Sequence, residues 1–305
     1  MRVLVTGGAG FIGTAVVAAL VGAGHEVVVA DLEEPRVIGT AAAGRVRSVV
    51  GDLRDPKVVD LAVGEGMDAV MHLAAATSVL RSVKDPEGVY ESNVAMTQQL
   101  LERARRLGGA AFVLASTNAV VGDAMVVDDA HLIDERAPLA PLTPYGATKA
   151  AAEMLVSAYR RAYGMNAVSL RLTNVYGPGV WVKDGLVARL FKAARSGSGI
   201  RVNGDGLQRR DYVYIDDVVA AFSSAACGGW PGTVVVGSGA SVNVLELHDA
   251  IARTTGATIP VEHGEQPPGE MRAVIVDRAV ADGLGHGPPV GLAEGLRRTW
   301  AAWPD

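Results

Sequence analysis

The feature that most constrains the fold is a glycine-rich turn close to the start of the chain. Residues 3–13 read VLVTGGAGFIG, an apolar run that leads into spaced glycines and then into a segment with helical spacing. Gly8, Gly10 and Gly13 have the spacing G-x-G-x-x-G, and Gly7 precedes them. Glycines allow a tight turn and a close approach of an anion to the backbone, and the first N–H groups of a helix bind anions. The pattern predicts a strand, a pyrophosphate-binding turn and a helix.

A second strand-like run supports this interpretation. The run VVVAD (residues 27–31) ends in Asp31, whose carboxylate can accept hydrogen bonds from the two hydroxyl groups of an adenosine ribose. Because a carboxylate repels a ribose 2′-phosphate, the sequence favours NAD over NADP, although Arg36 lies nearby. The alternative is a structural glycine turn beside a solvated aspartate.

Strand-like and helix-like segments alternate through the first 170 residues or so. Runs rich in Val, Leu and Ala predict strands at 2–6, 26–30, 46–50, 68–73, 110–115 and 166–172. Helical spacing occurs at 11–22, 55–63, 89–107 and 145–163. The apolar runs do not alternate with polar residues, which is typical of strands buried on both faces. The fold class is therefore predicted to be α/β, with a doubly wound parallel sheet of the Rossmann type.

After about residue 173, glycines and prolines cluster between shorter elements. Helices are predicted at 185–195, 215–226, 244–254 and 291–302, with short strands near 212–214 and 233–236. These segments indicate a smaller, mixed α/β substrate lobe. We expect an NAD-binding Rossmann core at 1–173 with contributions from about 207–236, and a substrate-binding lobe at 174–206 and 237–305.

Charge and composition exclude several classes of protein. The chain has 305 residues, and 28 Lys and Arg against 33 Asp and Glu give a formal net charge of −5, so no basic field is available to hold a nucleic acid. Glycines interrupt the uncharged stretch 3–24, so no membrane partner is expected. Cys227 is the only cysteine, which excludes an intrachain disulfide and favours the cytoplasm. The six histidines lack metal-ligand spacing, so no metal is expected.

A tyrosine and a lysine share one face of a predicted helix. Tyr145 and Lys149 lie four residues apart in PYGATKAAAEML, where Pro144 can begin the helix. A phenol with a pKa near 10 is a poor base, but an adjacent ammonium group and a cationic nicotinamide would favour the phenolate. Lys149 could also bind the nicotinamide ribose. The alternative is a half-buried tyrosine and an exposed lysine on an amphipathic helix, and the preceding dinucleotide loop favours the catalytic interpretation.

Together these motifs resemble the extended short-chain dehydrogenase/reductase family, in particular its NAD-dependent epimerase/dehydratase branch. The resemblance runs through most of the chain. Its motifs are TGGAGFIG (6–13), GDLRD (51–55), HLAA (72–75), STNAVVGD (116–123), YGATK (145–149), LRLTNVYGPG (170–179) and GDGLQRRDYVYIDDVV (204–219). The resemblance implies bound NAD, a nucleotide-diphosphate sugar as substrate, and a homodimer in which the helices at 89–107 and 145–163 pair.

The resemblance also implies a role for each matching residue. The catalytic residues would be Thr117, Tyr145 and Lys149, and the substrate would contact Thr117, Asn174 and Arg210, the last two through its phosphates. The implied cofactor-binding residues are Gly7, Gly10, Phe11, Ile12, Gly13, Asp31, Asp52, Leu53, Leu73, Ala74, Ala75, Asn93, Tyr145 and Lys149. Candidates for the sugar pocket are Thr77, Ser78, Arg81, Thr173 and Arg189.

Departures from the family pattern narrow the choice of reaction. The 4,6-dehydratases of the family follow the threonine with Asp-Glu, which supply the acid and base for loss of water. Here Asn118 and Ala119 occupy those positions, and neither can transfer a proton. Epimerases of the family often have alanine there. The family's R-x-G-[DE] segment reads PPGE at 267–270, so its phosphate-clamping arginine is absent, and Arg272 lies close by in a different register.

The resemblance and its departures predict an NAD-dependent 4-epimerase that converts a UDP-hexose or UDP-uronate through a 4-keto intermediate. A one-way 4-ketoreductase or dehydrogenase, or a decarboxylase of the same family, would share most of these residues. A more distant alternative is a non-catalytic dinucleotide-sensing protein, which would need the glycine turn but not Thr117, Tyr145 and Lys149.

Overall fold

The computed structural model describes residues 1–35, 44–122, 132–265 and 273–304. The chain divides into two compact units. Unit 1 comprises Met1–Ala124, Pro138–Arg171 and Val219–Val234. Unit 2 comprises Met125–Ala137, Leu172–Val218 and Val235–Asp305. Residues 207–218 therefore lie in unit 2, and the roles expected for the two parts of the chain stay predictions.

Apart from the helix predicted at 89–107, the predicted segments correspond to described elements to within a few residues, whereas the short strands β6, β8, β9, β12, β13 and β14 and the short helices α3 and α10 were not predicted. In chain order the strands are β1 (Arg2–Thr6), β2 (Glu26–Asp31), β3 (Val46–Val50), β4 (Ala69–His72), β5 (Ala111–Thr117), β6 (Leu132–Ile133), β7 (Ala167–Leu172), β8 (Asn174–Tyr176), β9 (Ile200–Asn203), β10 (Arg209–Tyr214), β11 (Thr233–Val236), β12 (Ser241–Asn243), β13 (Val261–Gly264) and β14 (Ile275–Val276). The helices are α1 (Phe11–Gly22), α2 (Pro56–Ala62), α3 (Val79–Lys84), α4 (Pro86–Tyr90), α5 (Met96–Arg106), α6 (Pro144–Tyr163), α7 (Leu186–Ser196), α8 (Ile215–Ala226), α9 (Val244–Thr255), α10 (Ala279–Gly283) and α11 (Leu292–Ala301).

Unit 1 is built on a seven-stranded parallel sheet in the order β11-β7-β5-β4-β1-β2-β3. The chain begins in the middle, adds β2 and β3 on one side of β1, and then crosses to β4 and β5 on the other. At such a reversal, the loops that leave the carboxyl ends of the two central strands diverge and leave a crevice for a ligand. The predicted doubly wound Rossmann sheet is confirmed.

The apolar runs form strands because both faces of the sheet are covered. Val3, Leu4 and Val5 are consecutive residues of β1 and all are fully buried. Helices α1 and α2 pack near β2, whereas α5 and α6 pack near β5. A strand covered on both sides needs no alternation of apolar and polar residues, which is the pattern the sequence shows.

The single helix predicted at 89–107 is wrong in one respect. The structure divides this segment into α4, a π-helical turn at Glu91–Ala95, and α5. A π-helical turn carries one extra residue and redirects the side chains within it, and such turns occur often at functional sites. Asn93 lies in the middle of this turn and is buried.

Unit 2 contains the smaller mixed lobe that the second half of the sequence predicted. In its three-stranded sheet, β10 pairs in parallel with β8 and antiparallel with β12. Helices α7, α9 and α11 pack together, and Phe191 stacks on Trp300 at a ring distance of 5.5 Å. In the part of the chain that the structure describes, no helix is long and apolar enough to cross a membrane.

Candidate functional site

The glycine turn after β1 packs tightly against its surroundings. Gly7 has a positive φ of 71°, and a Cβ atom there would lie 2.6 Å from the backbone nitrogen of Ala74. A Cβ atom on Gly13 would collide with the carbonyl oxygen of Gly7. Gly10, which has no side chain, occupies the N-cap of α1. The turn therefore leaves the start of α1, from Phe11 onwards, as a backbone surface suited to a pyrophosphate.

The carboxylate of Asp31 is held against this turn. Its Oδ2 accepts a hydrogen bond from the N–H of Ala9 at 2.9 Å, and its Oδ1 accepts one from the N–H of Leu32 at 2.7 Å. Each carboxylate oxygen can accept a second hydrogen bond, so both remain able to bind a ribose hydroxyl. The sequence predicts this arrangement, in which a carboxylate at the end of β2 can accept hydrogen bonds from the ribose hydroxyl groups.

A buried hydrogen-bond chain anchors the segment after β4, which holds the predicted cofactor residues Leu73, Ala74 and Ala75. Ala74 N–H donates to Thr6 Oγ1 at 3.2 Å, and Thr6 Oγ1 lies 2.7 Å from Nδ1 of His72. Beyond His72, its Nε2 lies 3.0 Å from the hydroxyl of Thr97, which itself donates to a backbone carbonyl. That hydroxyl must accept from Nε2–H, so Nδ1 accepts from Thr6. Burial lowers the pKa of His72 to about 3, and the ring is neutral.

Asn93 joins this segment to α6. Its Oδ1 accepts from the N–H of Ala76 at 2.8 Å, and its Nδ2 donates to the Ala76 carbonyl at 3.1 Å and to Thr148 Oγ1 at 3.0 Å. Thr148 in turn donates to the carbonyl of Tyr145 at 2.8 Å. Both amide hydrogens of Asn93 are thus donated within the protein, and a direct contact of this residue with the cofactor stays a prediction.

Two further predicted cofactor residues follow β3. Arg54 binds both carboxylate oxygens of Asp52 at 2.6–3.0 Å, and this ion pair lowers the pKa of Asp52. Leu53 is buried in the core. A direct contact of either residue with adenine stays a prediction.

Tyr145, Thr117 and Lys149 come together at the start of α6. Thr143 caps this helix by accepting from a backbone N–H at 3.2 Å, and Pro144 is its first residue. Burial raises the pKa of Tyr145, whereas hydrogen bonding with the side chain of Thr117 lowers it. The hydroxyl groups of Thr117 and Tyr145 therefore lie next to each other.

Lys149 is only 3% exposed, so the alternative of an exposed lysine is wrong. Burial lowers its pKa to about 8. Among the residues that the structure describes, none offers hydrogen-bond acceptors to its Nζ, which is not one of the fully enclosed polar atoms without a partner. The hydroxyl groups of a nicotinamide ribose would supply such acceptors. Together with the glycine turn and Asp31, this available donor fits a dinucleotide in unit 1.

In unit 2 the structure brings Asn174 and Arg210 to one pocket. The pocket is lined by Asn174, Leu186, Arg189, Arg201, Val202, Asn203, Gln208, Arg210, Tyr212 and Val244. None of these residues is acidic, and three carry guanidinium groups. Within the described part of the chain, no carboxylate pairs with Arg189 or Arg201. The pocket is therefore suited to an anion of more than one charge.

Sequence reasoning missed Arg201 and could not rank Arg189. The signal for Arg201 was available, because the residues of β9 alternate buried and exposed and place Arg201 and Asn203 on the same face. Of the other pocket candidates, Thr173 donates to Asp211 at 2.7 Å and Ser78 caps α3. The PPGE segment and Arg272 lie outside the described residues.

The sequence pattern of the NAD dependent epimerase/dehydratase family matches residues 3–237. The chain belongs to this family. A UDP-glucose 4-epimerase from Mycolicibacterium smegmatis is 37% identical over 314 residues, which cover 98% of this chain and 97% of that protein. A dTDP-glucose 4,6-dehydratase from Streptomyces niveus is 35% identical over 312 residues, which cover 98% of this chain and 91% of the relative.

Comparison with solved structures indicates the same family. The crystal structure of the UDP-glucose 4-epimerase from Thermus thermophilus in complex with NAD has a TM-score of 0.88 and 34% identity, and covers 99% of this chain and 98% of that one. The expected cofactor, NAD, is thereby confirmed, as are the extended short-chain dehydrogenase/reductase fold and its nucleotide-sugar chemistry. Relatives of both reaction types match along nearly the full chain, so overall similarity does not separate epimerase from dehydratase.

Proposed function

We propose that this family member is a nucleotide-sugar 4-epimerase that acts on a UDP-hexose or UDP-uronate through a 4-keto intermediate. One observation carries the proposal. The hydrogen-bonded pair of Thr117 and Tyr145 stands beside the buried Lys149, while the two positions after Thr117 hold Asn118 and Ala119. The site therefore has the groups to oxidise and reduce a secondary alcohol, whereas the two positions that hold the acid and base in the dehydratases of the family hold residues that cannot transfer a proton.

In the forward half-reaction, Tyr145 accepts the proton of the sugar 4-hydroxyl, and Thr117 donates a hydrogen bond to the same oxygen. The ammonium group of Lys149 stabilises the Tyr145 phenolate and binds the ribose of the dinucleotide. NAD, held by the glycine turn, Asp31 and Lys149, would supply a reversible hydride acceptor for C4 of the sugar. Tyr145 then gives the proton back, so no cofactor is consumed.

The pocket of unit 2 supports the assignment of the substrate as a nucleotide diphosphate. Arg210 and Asn174 are the residues that the family resemblance assigns to the phosphates. Arg189 and Arg201 supply two further positive charges in the same pocket, and we assign to them the contact that the missing arginine of the PPGE segment would make. Binding energy from the diphosphate is remote from C4, so it can hold the substrate while the sugar ring turns over.

The test is incubation of the purified protein with a panel of UDP- and dTDP-linked sugars without added NAD, with the products identified by NMR. Inversion at C4 is the expected result. Turnover that occurs only in a parallel incubation with added NAD or NADH, and consumes it stoichiometrically, would instead assign a reductase or dehydrogenase. Loss of the C6 oxygen would assign a dehydratase, and release of CO2 a decarboxylase. Binding of NAD without turnover of any sugar would favour the sensing protein.

We also propose that two copies pair through unit 1. The large apolar side chains of Leu80, Val83, Tyr90 and Met154 are 54–80% exposed on α3, α4 and α6, and the family resemblance implies that the helices at 89–107 and 145–163 pair in a dimer. Size-exclusion chromatography with light scattering should give twice the 31.5 kDa of the chain. The cytoplasmic location stays a prediction from the single cysteine.

A further inference from the structure

A buried charged network lies one helical turn beyond Lys149. Glu153 is 4% exposed, and its two carboxylate oxygens accept hydrogen bonds from the Nε and Nη2 atoms of Arg171 at 2.9–3.1 Å. The hydroxyl of Ser116 donates to the same carboxylate at 2.5 Å. Arg171 and Ser116 are themselves buried. The network joins β5, α6 and β7 within unit 1.

Fold stability alone is a poor explanation for this network. The desolvation of a buried ion pair largely offsets its attraction, so an apolar pair of similar volume would hold these elements together equally well. The position of the network is informative, because Ser116 precedes Thr117 on β5 and Glu153 follows Lys149 by four residues on α6. Each end of the network therefore adjoins a residue to which we assign a role in the reaction.

The charged groups around Lys149 indicate what the network does, because they determine whether the ammonium form of Lys149 is favoured. Glu153 is the carboxylate that raises the pKa of Lys149, against the lowering caused by burial. His72 is uncharged, and burial raises the pKa of Tyr145. Arg171 is paired with Glu153, and the charged side chains of α3 and α4, including Arg81, are exposed to solvent. Without Glu153, no negative charge would favour the ammonium form in this part of the described structure.

We infer that Glu153, fixed by Arg171 and Ser116, is a positioning residue that keeps Lys149 protonated and holds the end of β5 against α6, so that Thr117 stays within hydrogen-bond distance of Tyr145. The inference rests on the proposed role of Lys149 in the reaction. It makes Glu153 the residue that sets the alkaline limit of activity. Above that limit Lys149 loses its proton and no longer stabilises the phenolate.

The direct test measures the charge of Lys149. The protein is labelled with 13C-lysine, its Cε resonances are followed by NMR as the pH is raised, and Lys149 is assigned by the signal missing from Lys149→Met. The wild-type midpoint is expected near pH 8 in the protein without added ligand. In Glu153→Gln, which keeps the shape and removes the charge, we expect the midpoint to fall by about one pH unit. Glu153→Asp keeps the charge and should restore the midpoint.

Two further variants separate this effect from misfolding. Glu153→Gln/Arg171→Gln removes both charges of the pair, and its midpoint should lie between those of Glu153→Gln and the wild type. Glu102→Gln, which removes an ion-paired carboxylate on α5, is the matched control and should leave the midpoint unchanged. Thermal melting of each variant reports whether it is folded.

The pH profile of kcat completes the test. If Glu153 acts through Lys149, the alkaline limb of Glu153→Gln shifts by the same interval as the NMR midpoint, which lowers kcat about fivefold at pH 8 and little at pH 6. An unchanged midpoint, or a loss of kcat that is equal at all pH values, would overturn the inference. If the wild type turns over no nucleotide sugar while the midpoint of Lys149 shifts as expected, the 4-epimerase proposal fails and the electrostatic role of Glu153 stands.

Discussion

Replacement of Gly13 by alanine tests whether the glycine turn forms the cofactor site. In an ordinary helix this change stabilises the protein by up to about 1 kcal/mol, because alanine has the higher helix propensity. Here the new methyl group would collide with the carbonyl oxygen of Gly7 and lie 2.7 Å from Cα of Gly8, and both are backbone atoms that cannot rotate away. The start of α1 must therefore move away from the turn. Overpacking of this kind costs about 1–3 kcal/mol.

The assay combines urea unfolding with calorimetric titration of NAD. We expect Gly13→Ala to lose about 1–3 kcal/mol of unfolding free energy and to bind NAD at least tenfold more weakly, because the N–H groups that bind the pyrophosphate move with the helix. Gly22→Ala is the matched control at the other end of α1, where a Cβ atom meets nothing within 4 Å, and it should leave NAD affinity unchanged. If Gly13→Ala unfolds at the wild-type urea concentration and binds NAD within twofold of wild type, the argument is refuted.

Three further predictions follow from the site and the core. Tyr145→Phe should lower kcat by about 10²–10⁴-fold with NAD affinity within twofold of wild type, since only the proton acceptor is lost; near-normal turnover would contradict its assignment as the base. Arg201→Met should raise KM for the nucleotide sugar about tenfold with little change in kcat, whereas Arg253→Met, an exposed arginine of α9, should change neither; steady-state kinetics would show equal effects if the pocket does not bind the diphosphate. His72 has a folded pKa of about 3 against about 6.5 when unfolded, so its contribution is complete above pH 6.5 and is lost as the pH falls towards 3. The urea unfolding free energy should therefore decline over that range by up to about 1.4 kcal/mol per pH unit from this residue, and His72→Gln should flatten the decline if the ring is the cause.

The main elements of unit 1 could be predicted because the relevant signals are local. The run VLVT is apolar on both sides, so it forms a strand only where both faces are covered, and its length limits it to one strand of a sheet. The glycine spacing likewise needs no tertiary information, since positive φ at Gly7 is a property of the turn itself. The π-helical turn around Asn93 could not be predicted, because hydrophobic periodicity does not detect one inserted residue within an otherwise regular helix.

The types of residue in the site could be predicted from the sequence, but their burial and their electrostatic surroundings could not. Helical spacing is sufficient to place Tyr145 and Lys149 on one face of α6. It says nothing of how deeply that face is buried, so the lowered pKa of Lys149 follows only from the packed structure. Arg201 was missed because no strand was predicted at Ile200–Asn203, and the alternation of that strand alone does not show that Arg189 and Arg210, which lie on other elements, line the same pocket.

By itself the sequence determined the alternation of strands and helices, the phosphate-binding turn, the acid at the end of β2 and the identity of the cofactor, because each depends on residue types at short, fixed spacings. Only the tertiary structure decided which of these side chains are desolvated and which charges face them. The ion pair of Glu153 and Arg171 joins residues that lie 18 positions apart on different elements. Electrostatic interactions act through space and strengthen with burial, so the packed structure, and not the order of residues, sets the chemistry of the site.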